Sequence, residues 1–389
     1  MTNPVSPRLQ QTLVGGAVLL LALGLAWGAT DISGQAGYAG VGPNFLPWLV
    51  SAALFMCGLL LLVQARSGGF RDLPEPSGAA RADWTVVLVG DRKGPATVTD
   101  DRIVFLDLAR QKSLGFEYVA HCPENHYARK NVGYLYALTQ GAELIAETDD
   151  DNYPLPGWGG ALEFDPAEVR IVETDRYFNV YREFTDAEVW PRGYPLREVI
   201  RSRTASARIT RGSAQVAVWQ ELADDDPDVD AIFRLTRGGE VHFRPAERLV
   251  LKPGTYCPFN SQNTFWRRPA FAGLFLPGTV SMRYCDILRG YVAQRLFWRQ
   301  GLCLGFGPAS VRQLRNQHDL MRDFAEEVTM YREIEAVVGV LDATAAEGPM
   351  GAGLVEVYEA LARARLVPEP EVAAARAWQS DLRRLGLEP

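Results

Sequence analysis

Two uncharged apolar runs near the N-terminus constrain this chain more than any other feature. They cover Leu13 to Ala29 and Phe45 to Val63, and each comes close to the ~20 residues that a helix needs to cross a bilayer. The first run is long for the apolar core of a signal peptide, and the second run follows it closely. The sequence therefore predicts a two-helix transmembrane hairpin over residues 1–67, with the lipid bilayer as a partner.

The arginines around these runs predict which way the hairpin faces. Arg8 precedes the first run, and Arg66, Arg71 and Arg81 follow the second, whereas the loop of residues 30–44 has no Lys or Arg. Positively charged flanks stay on the cytoplasmic side of a membrane. We therefore expect a protein of the inner (cytoplasmic) membrane, with both ends of the hairpin and the domain that follows it in the cytoplasm.

The end of the loop and the start of the second run form a distinctive segment. It reads Tyr38-Ala39-Gly40-Val41-Gly42-Pro43-Asn44-Phe45-Leu46-Pro47 and leads into residues 54–64. This segment resembles the start of the small membrane subunit of tripartite tricarboxylate transporters. The later helices, which a bundle of that kind needs for packing, are missing from this sequence. The alternative is a generic hairpin anchor.

The remainder of the chain has the composition of a globular α/β protein. It begins after a linker over residues 68–83, and no later run approaches a membrane-spanning length. The formal net charge of -7 argues against a nucleic-acid partner, because phosphate binding calls for a basic face. The five cysteines have no C-x-x-C spacing, which argues against a zinc ribbon and against a disulfide framework.

An acidic cluster carries the main functional signal. Glu147-Thr148-Asp149-Asp150-Asp151-Asn152 follows the apolar run Leu144-Ile145-Ala146, which is typical of a short buried strand. Consecutive carboxylates at the end of such a strand repel one another unless a hard divalent cation or solvent compensates. Carboxylates in this pattern hold Mn²⁺ or Mg²⁺ against the diphosphate of a nucleotide sugar. The alternative is an acidic, solvated turn.

The elements before the cluster predict an α/β sheet. Strands are predicted over Trp84–Val89 and Phe116–Ala120, followed by a helix over Ala128–Leu138 and then by the strand of the acidic cluster. The order strand, loop, strand, helix, strand favours a βαβ arrangement with a parallel sheet.

Four polar residues lie where that sheet would bind a nucleotide. Asp91 and Lys93 follow the first strand, where Asp91 could accept from a uracil or ribose and Lys93 could meet a phosphate. Arg129 and Lys130 stand at the start of the helix, an end that suits anions. The alternatives are an ordinary surface turn and a solvated first helical turn.

Several blocks share one resemblance in order along the chain. They are Arg129–Ala137, Glu147–Asn152, Val189–Leu196, Pro258–Thr264, Ser281–Leu296 and Arg315–Asp319. Together, over residues 84–335, they resemble the STELLO family of glycosyltransferases. The resemblance implies a GT-A-like nucleotide-sugar-binding sheet with flanking helices, and a metal-dependent site for a nucleoside-diphosphate sugar. It assigns the D-x-D role to Asp149 and Asp151, and it puts Asp91, Arg129 and Lys130 near the nucleotide. Eukaryotic members have a lumenal Golgi domain, whereas this hairpin predicts a cytoplasmic one.

Two of these blocks read as loops that could contact a sugar. Asn260, Gln262 and Asn263 can hydrogen-bond sugar hydroxyls, or they can form a self-bonded turn. The run Trp190-Pro191-Arg192-Gly193-Tyr194-Pro195 cannot be a regular helix or central strand. It either stacks a sugar or base, or plugs the core.

The resemblance also proposes catalytic and metal-binding residues. Asp286 lies in a predicted helix, Arg283–Trp298, and would be the general base that deprotonates the acceptor hydroxyl; alternatively it is an N-cap or first-turn Asp. Arg289, one turn further on, would steady that carboxylate or meet a phosphate. His318 would complete the metal site, or else be a surface histidine at a helix cap.

The remaining segments suggest no chemistry. Asp224 to Asp230 is interpreted as a solvated turn, since it lacks the Gly and terminal Glu of an EF-hand loop. Helices are predicted over Gln313–Gly339, Gly353–Leu366 and Glu371–Leu385. The predicted domains are therefore the hairpin, a catalytic domain over residues 84–312 and a C-terminal helical region over residues 313–389.

The sequence thus predicts a membrane-anchored, metal-dependent glycosyltransferase. Its acceptor would be an unidentified glycan, lipid or protein. Two alternatives stay open. One is a sugar-nucleotide mutase of the reversibly glycosylated type, and the other is a transport accessory protein in which the hairpin does the work.

Overall fold

A computed structural model of the protein describes residues 7–32, 45–66, 84–95, 97–160, 162–201, 207–315 and 319–387. Contacts between α-carbons divide the chain into two units, residues 1–77 and residues 78–389. The predicted linker over residues 68–83 lies outside the described residues.

The first unit is a pair of apolar helices, as predicted. They are α1 (Pro7–Thr30) and α2 (Phe45–Arg66), and within them Thr12–Thr30 and Phe45–Val63 are long and apolar enough to cross a membrane. Glycines allow the two helices to approach closely, because a β-carbon on Gly58 would lie only 2.9 Å from the Leu19 side chain. Small residues at such contacts are common where membrane helices pack.

The second unit contains two sheets in the part of the chain that the structure describes. The strands are β1 (Val86–Val89), β2 (Ile103–Leu106), β3 (Leu144–Thr148), β4 (Asn152–Pro154), β5 (Val169–Glu173), β6 (Arg208–Gly212), β7 (Val216–Asp224), β8 (Leu249–Leu251), β9 (Asn263–Arg267) and β10 (Cys303–Gln313). β1 and β2 form a parallel pair. The other eight form a mixed sheet in the order β3-β9-β7-β10-β8-β5-β6, with β4 paired to β10.

Helices flank these sheets. They are α3 (Leu108–Ser113), α4 (Lys130–Thr139), α5 (Tyr181–Phe184), α6 (Leu196–Arg201), α7 (Ala231–Thr236), α8 (Met282–Arg299), α9 (Leu320–Ala343), α10 (Met350–Arg363) and α11 (Glu369–Arg384), with short 3-10 helices over Glu117–His121, Tyr127–Arg129 and Arg268–Leu274. The predicted helix Arg283–Trp298 is confirmed as α8. It is the most buried of the long helices that the structure describes. It fills the core with side chains such as Ile287, Tyr291 and Phe297.

Strand directions explain why distant polar segments meet. β3 is antiparallel to β9, β9 is antiparallel to β7, and β7 is parallel to β10. The carboxyl ends of β3, β7 and β10 therefore point toward one edge of the sheet, where β9 begins. That edge gathers the acidic cluster after β3, the carboxylates after β7 and the end of β10.

Two predictions for the first half of this unit were wrong. The predicted single parallel sheet is instead two sheets, because β1 pairs with β2 while β3 pairs antiparallel with β9, which lies far along the chain. The predicted strand Phe116–Ala120 is a 3-10 helix, since the carboxylate of Asp381 in α11 accepts hydrogen bonds from the backbone of Glu117 and Tyr118. A carboxylate in that position stabilises a helical start.

The predicted C-terminal helices are all present with shifted bounds. The first begins at Leu320 rather than Gln313, because β10 continues to Gln313 and pairs with β7 and β4. The second and third correspond to α10 and α11. Both contribute fully buried side chains, Tyr358 and Trp378, to the main core.

Candidate functional site

A polar cleft of about 490 Å³ opens at the sheet edge where β3, β7 and β10 end. Carboxylates from four separate segments line it, represented by Asp151, Asp228, Asp286 and Asp323. Arginines from α8 and from the end of β10, Arg283 and Arg315, lie on the same walls. A cleft lined by both negative carboxylates and positive guanidinium groups suits a ligand that combines phosphates, a cation and hydroxyl groups.

Asp149 is fixed in this cleft by a tyrosine and a lysine. The Tyr127 hydroxyl donates to Asp149 Oδ1 at 2.5 Å, and Lys130 Nζ lies 2.9 Å from the same oxygen. Ser261 Oγ donates to the Tyr127 hydroxyl at 3.0 Å. Burial, followed by the negative charges of Asp149 and Asp286, raises the pKa of Tyr127. Tyr127 therefore lies close to both carboxylates and stays protonated.

Asp151 has a different environment. Its two oxygens accept from Gln313 Nε2, each at 3.1 Å. Burial raises the pKa of Asp151, and the like charges of Asp149 and Asp150 add to that shift, while the hydrogen bond from Gln313 opposes it. Negative charge is thus crowded at the end of β3, and a bound cation would relieve the repulsion.

A buried arginine joins two further carboxylates at the cleft. Arg192 Nε donates to Asp228 Oδ1 at 2.7 Å, and Arg192 Nη2 donates to Asp286 Oδ2 at 3.0 Å. Asp286 is the fifth residue of α8, which begins after Ser281. The alternative interpretation of Asp286 as a helix N-cap was therefore wrong.

Segment 224–230 was also misread as a solvated turn. Asp225, Asp228 and Asp230 are buried. Asp230 accepts from the backbone of Phe233 at 2.8 Å and from Trp190 Nε1 at 2.6 Å. Trp190 packs edge-on against Phe233, with ring centroids 5.3 Å apart, so the loop around it plugs the core and its indole does not stack a ligand.

Arg283 and Arg315, which together form an arginine wall of the cleft, make ion pairs with α9. Arg283 Nε donates to Glu327 Oε1 at 2.6 Å, and Arg315 Nη2 donates to Asp323 Oδ2 at 2.8 Å. Burial, together with the positive charges of Arg234 and Arg283, lowers the pKa of Arg315. An anion in the cleft would relieve this crowding of positive charge.

The segment before β9 supplies the floor of the cleft, but only part of it faces the opening. Gln262 lines the cleft and donates through Nε2 to Gln313 Oε1 at 2.6 Å. Asn260 and Asn263 are buried and engaged internally. Asn260 Nδ2 donates to Asp228 Oδ2 at 2.7 Å, and Asn263 Nδ2 donates to Ser310 Oγ at 2.9 Å. These two side chains hold other parts of the site in place.

Arg289 lies behind the cleft. It is 1% exposed, and its Nη1 donates to both oxygens of Glu147, at 2.7 and 2.9 Å. The structure therefore separates Arg289 from Asp286, although the two are one helical turn apart.

Asp91, which follows β1, and Arg129, at the end of the 3-10 helix Tyr127–Arg129, lie in neighbouring segments joined by a hydrogen bond from His126 to Asp91. Asp91 Oδ2 accepts from the backbone of His126 at 3.2 Å, next to Tyr127. Burial by itself would raise the pKa of Asp91, but backbone hydrogen bonds from Asn125, Arg92 and His126 and the charge of Arg129 lower it. Arg129 is buried and donates to Gln111 Oε1.

Lys93 is exposed after β1. Asp91, Lys93 and Arg129 do not line the cleft, so their nucleotide-binding role stays a prediction.

The predicted metal site is only partly within the described residues. His318 lies outside them. Among the described side chains, Asp225, Glu240 and His242 are the group whose possible ligand atoms all lie within 4.8 Å of one another. Asp225 Oδ2 in that group is also 2.6 Å from Arg312 Nη2. Asp149 and Asp151 supply carboxylate oxygens, the ligand type that Mg²⁺ and Mn²⁺ prefer.

Sequence reasoning missed most residues of the cleft, among them Tyr127, Arg192, Asp228 and Gln313. Arg192 stood in a block that was interpreted only for its aromatic residues, and Asp228 stood in the supposed solvated turn. Pro227 among the acidic residues was a signal, since a proline fixes a loop. Tyr127 and Gln313 gave no local signal, because their roles depend on contacts with Asp149 and Asp151.

The chain matches two families in different parts. Residues 12–90 match the Tripartite tricarboxylate transporter TctB family, and residues 283–389 match the STELLO glycosyltransferases. The second match includes α9, α10 and α11, and so extends beyond the end of the resemblance seen in the sequence.

Two curated proteins of Arabidopsis thaliana are similar to the chain. "Probable glycosyltransferase STELLO1" is 27% identical over 324 residues, and "Probable glycosyltransferase STELLO2" is 30% identical over 250 residues. These alignments cover 78% and 59% of this chain. They span 42% and 32% of the two relatives, so the chain corresponds to less than half of each. The resemblance drawn from the sequence is confirmed: this chain is similar to the STELLO glycosyltransferases over most of its length and, in its N-terminal segment, to the TctB family.

Proposed function

We propose that this protein is a membrane-anchored glycosyltransferase that takes a sugar from a nucleoside diphosphate and transfers it to a hydroxyl group. The observation that carries the proposal is the cleft in which Asp149 and Asp151, after β3, share one opening with Asp286 of α8. The STELLO matches support the same activity. In this proposal residues 84–312 form a GT-A-like catalytic domain and residues 313–389 a helical region that supports it.

A divalent cation would fit beside the carboxylates that follow β3. Burial and like charge raise the pKa of Asp151, which is the signature of carboxylates that lack a compensating charge. We assign Asp149 and Asp151 as the residues that hold Mn²⁺ or Mg²⁺. Such an ion supplies Lewis-acid stabilisation to a departing diphosphate. His318 remains a proposed further ligand.

The arginine wall suits the diphosphate. Arg283 and Arg315 line the same cleft as the acidic cluster, and the pKa of Arg315 is lowered by burial and by neighbouring positive charge. A phosphate group would restore the balance of charge there and accept hydrogen bonds from the guanidinium groups. Lys130, which already contacts Asp149, would lie beside the donor.

Asp286 is proposed as the general base for the acceptor hydroxyl. Arg192 contacts both Asp286 and Asp228. The guanidinium can therefore stay paired with Asp228 while Asp286 takes the proton. Gln262, which lines the cleft, would hydrogen-bond a sugar hydroxyl.

Donor turnover by the full chain in detergent tests this function. A panel of nucleoside-diphosphate sugars would be incubated with the protein, with Mn²⁺ and with EDTA. Release of nucleoside diphosphate that depends on Mn²⁺ supports a transferase. Interconversion of sugar ring forms without release would instead identify a mutase. If no donor reacts under any condition, the proposal is wrong.

The TctB match gives a second candidate, a transport accessory protein. In that case the two apolar helices would bind other membrane subunits, and the second unit would bind a ligand without turnover. Co-purification of membrane proteins with the chain, together with absent donor turnover, would favour this candidate over the transferase.

We further propose that the catalytic unit faces the cytoplasm. The charge bias around α1 and α2 supports this orientation. Protease added to inside-out vesicles should then cut the second unit, whereas right-side-out vesicles should protect it. The opposite pattern would reverse the orientation.

A further inference from the structure

A buried ion pair behind the cleft joins its two acidic arms, which are the end of β3 with Asp149 and the start of α8 with Asp286. Arg289 Nη1 donates to Glu147 Oε1 at 2.7 Å, and the side chains are 1% and 0% exposed. Glu147 also accepts from Trp266 Nε1 at 2.6 Å and from the Tyr134 hydroxyl. The Arg289 guanidinium lies over the Trp266 ring, 4.9 Å from its centroid. Both charges are thus enclosed among aromatic side chains.

Each member of the pair belongs to one of these arms. Glu147 lies in β3, and Asp149 follows two residues later, just beyond the end of the strand. Asp286 and Arg289 are three residues, about one helical turn, apart in α8. Glu147 and Arg289 therefore form an inner rung behind the cleft, and Asp149 and Asp286, close to them in the chain, line the cleft itself. Tyr127 donates to Asp149 Oδ1 and lines the same cleft as Asp286.

Arg289 also holds the floor of the cleft. Its Nη2 donates to the backbone carbonyl of Asn260 at 3.1 Å. Asn260 Nδ2 in turn donates to Asp228 Oδ2 at 2.7 Å, and the adjacent Ser261 donates to the Tyr127 hydroxyl. One guanidinium therefore connects β3, α8 and the segment before β9, which are three of the segments beside the cleft.

Stability alone does not account for this arrangement. Enclosing two charges is costly because both lose their hydration, and apolar replacements of such pairs are often neutral or stabilising. The value of the pair lies in its geometry, since a guanidinium offers several donors in a rigid plane. We propose that Glu147 and Arg289 are positioning residues that fix Asp149 and Asp286 at a working separation across the cleft.

This inference rests on the proposed transferase. Donor binding depends on the arm that carries Asp149, and proton removal depends on the arm that carries Asp286. Loss of the inner rung would leave each arm intact but misalign one against the other. The rate of transfer should then fall while donor binding stays nearly unchanged.

Substitutions of Arg289 in the full chain test the proposal. Arg289→Lys keeps a positive charge beside Glu147, but a single ammonium cannot reach both Glu147 and the Asn260 carbonyl in the same plane. Arg289→Met removes the charge. The matched control is Arg248→Met, because Arg248 pairs with the buried Glu221 and stacks over Trp219 at 5.8 Å, away from the cleft.

Two measurements decide the outcome. In Arg289→Lys we expect kcat for donor turnover to fall by roughly 10- to 100-fold, with donor KM within roughly a factor of three and a higher unfolding temperature than in Arg289→Met. A purely structural role would make rate and stability recover together. Hydrogen exchange in Arg289→Met should quicken in residues 149–152 and 258–263, whereas Arg248→Met should leave both segments unchanged.

Two results would overturn the inference. One is a folded Arg289→Lys protein with the parent kcat, and the other is unchanged exchange in both segments of Arg289→Met. If the parent turns over no nucleotide sugar, the proposed function fails on its own. The exchange measurement still decides whether Arg289 holds the cleft segments together.

Discussion

Arg192 donates to Asp286 through Nη1 at 3.1 Å and through Nη2 at 3.0 Å, and its Nε donates to Asp228. One buried guanidinium therefore serves two carboxylates from segments nearly sixty residues apart in the chain. A planar group with several donors is suited to this task. Substitution of either carboxylate therefore leaves Arg192 paired with the other one.

Asp286→Asn should abolish transfer without loss of the fold. The amide oxygen can still accept one of the two hydrogen bonds from Arg192, which stays paired with Asp228, so we expect a folded protein with a modestly lower unfolding temperature. As a proposed general base, Asp286 should contribute on the order of 10²- to 10⁴-fold to kcat. Measured kcat and Mn²⁺ affinity distinguish the roles, because a base affects only kcat. Weaker Mn²⁺ binding in this variant would make Asp286 a ligand instead.

Asp151→Asn should lower donor turnover and raise the unfolding temperature of the metal-free protein. Losing a metal ligand should reduce Mn²⁺ affinity by more than the roughly 10- to 100-fold that outer partners cost, and donor turnover should fall with it. Because burial and like charge raise the pKa of Asp151, its ionised form destabilises the metal-free protein. The variant should therefore have a higher unfolding temperature in EDTA at neutral pH.

Asp186→Asn is the matched control for Asp151, because the Asp186 side chain is 96% exposed and pairs with Arg244 at the surface. It should change neither Mn²⁺ affinity nor unfolding temperature. Normal Mn²⁺-dependent turnover in Asp151→Asn would disprove the metal assignment.

The pKa of Asp230 predicts a pH dependence of stability. Burial raises the pKa of this carboxyl from 3.8 to about 6, and the nearby charges of Glu327 and Asp228 contribute. Since the folded pKa is above the unfolded one, the stabilising contribution is complete below the unfolded value. It is lost as the pH rises through about 6, and amounts to about 3 kcal/mol.

Asp230→Asn does not titrate and therefore isolates this contribution. The free energy of unfolding of the parent, minus that of the variant, should fall by about 3 kcal/mol between about pH 4 and pH 7. Guanidinium unfolding at several pH values measures this difference, and the other titrating groups cancel. A difference that stays constant with pH would show that burial does not shift this carboxyl.

Asp381→Ala tests how α11 supports the 3-10 helix Glu117–His121. The Asp381 carboxylate accepts from the backbone of Glu117 at 3.0 Å and of Tyr118 at 2.9 Å. Removal leaves two backbone donors without that acceptor, which should cost about 2 kcal/mol or more in unfolding free energy. Asp186→Ala, at the exposed site, should cost nothing measurable. Equal unfolding free energies for the two variants would contradict this role of α11.

Local patterns predicted the elements whose signal is contained in a few adjacent residues. The apolar runs of α1 and α2, the periodic apolar face of α8 and the strand before Asp149 were recognisable in this way. The strand predicted over Phe116–Ala120 failed because a side chain from α11 determines the conformation there.

The candidate site was predictable only in outline. Asp149, Asp151, Gln262 and Asp286 were proposed from the sequence, and the structure brings them to one cleft. Arg289 was assigned to that chemistry as well, but it lies behind the cleft, paired with Glu147. Their roles in binding and catalysis stay predictions.

By itself, the sequence determined that an apolar hairpin precedes an α/β unit and that carboxylates are concentrated after one of its strands. Those properties follow from hydrophobicity and charge along neighbouring residues. The tertiary structure alone decided which carboxylates meet and which are buried. β3 pairs with β9 and β7 with β10 across long stretches of chain, and these pairings bring Asp149, Asp228 and Asp286 to one edge of the sheet. No short-range pattern encodes such pairings, because their free energy comes from contacts between residues that are distant in sequence.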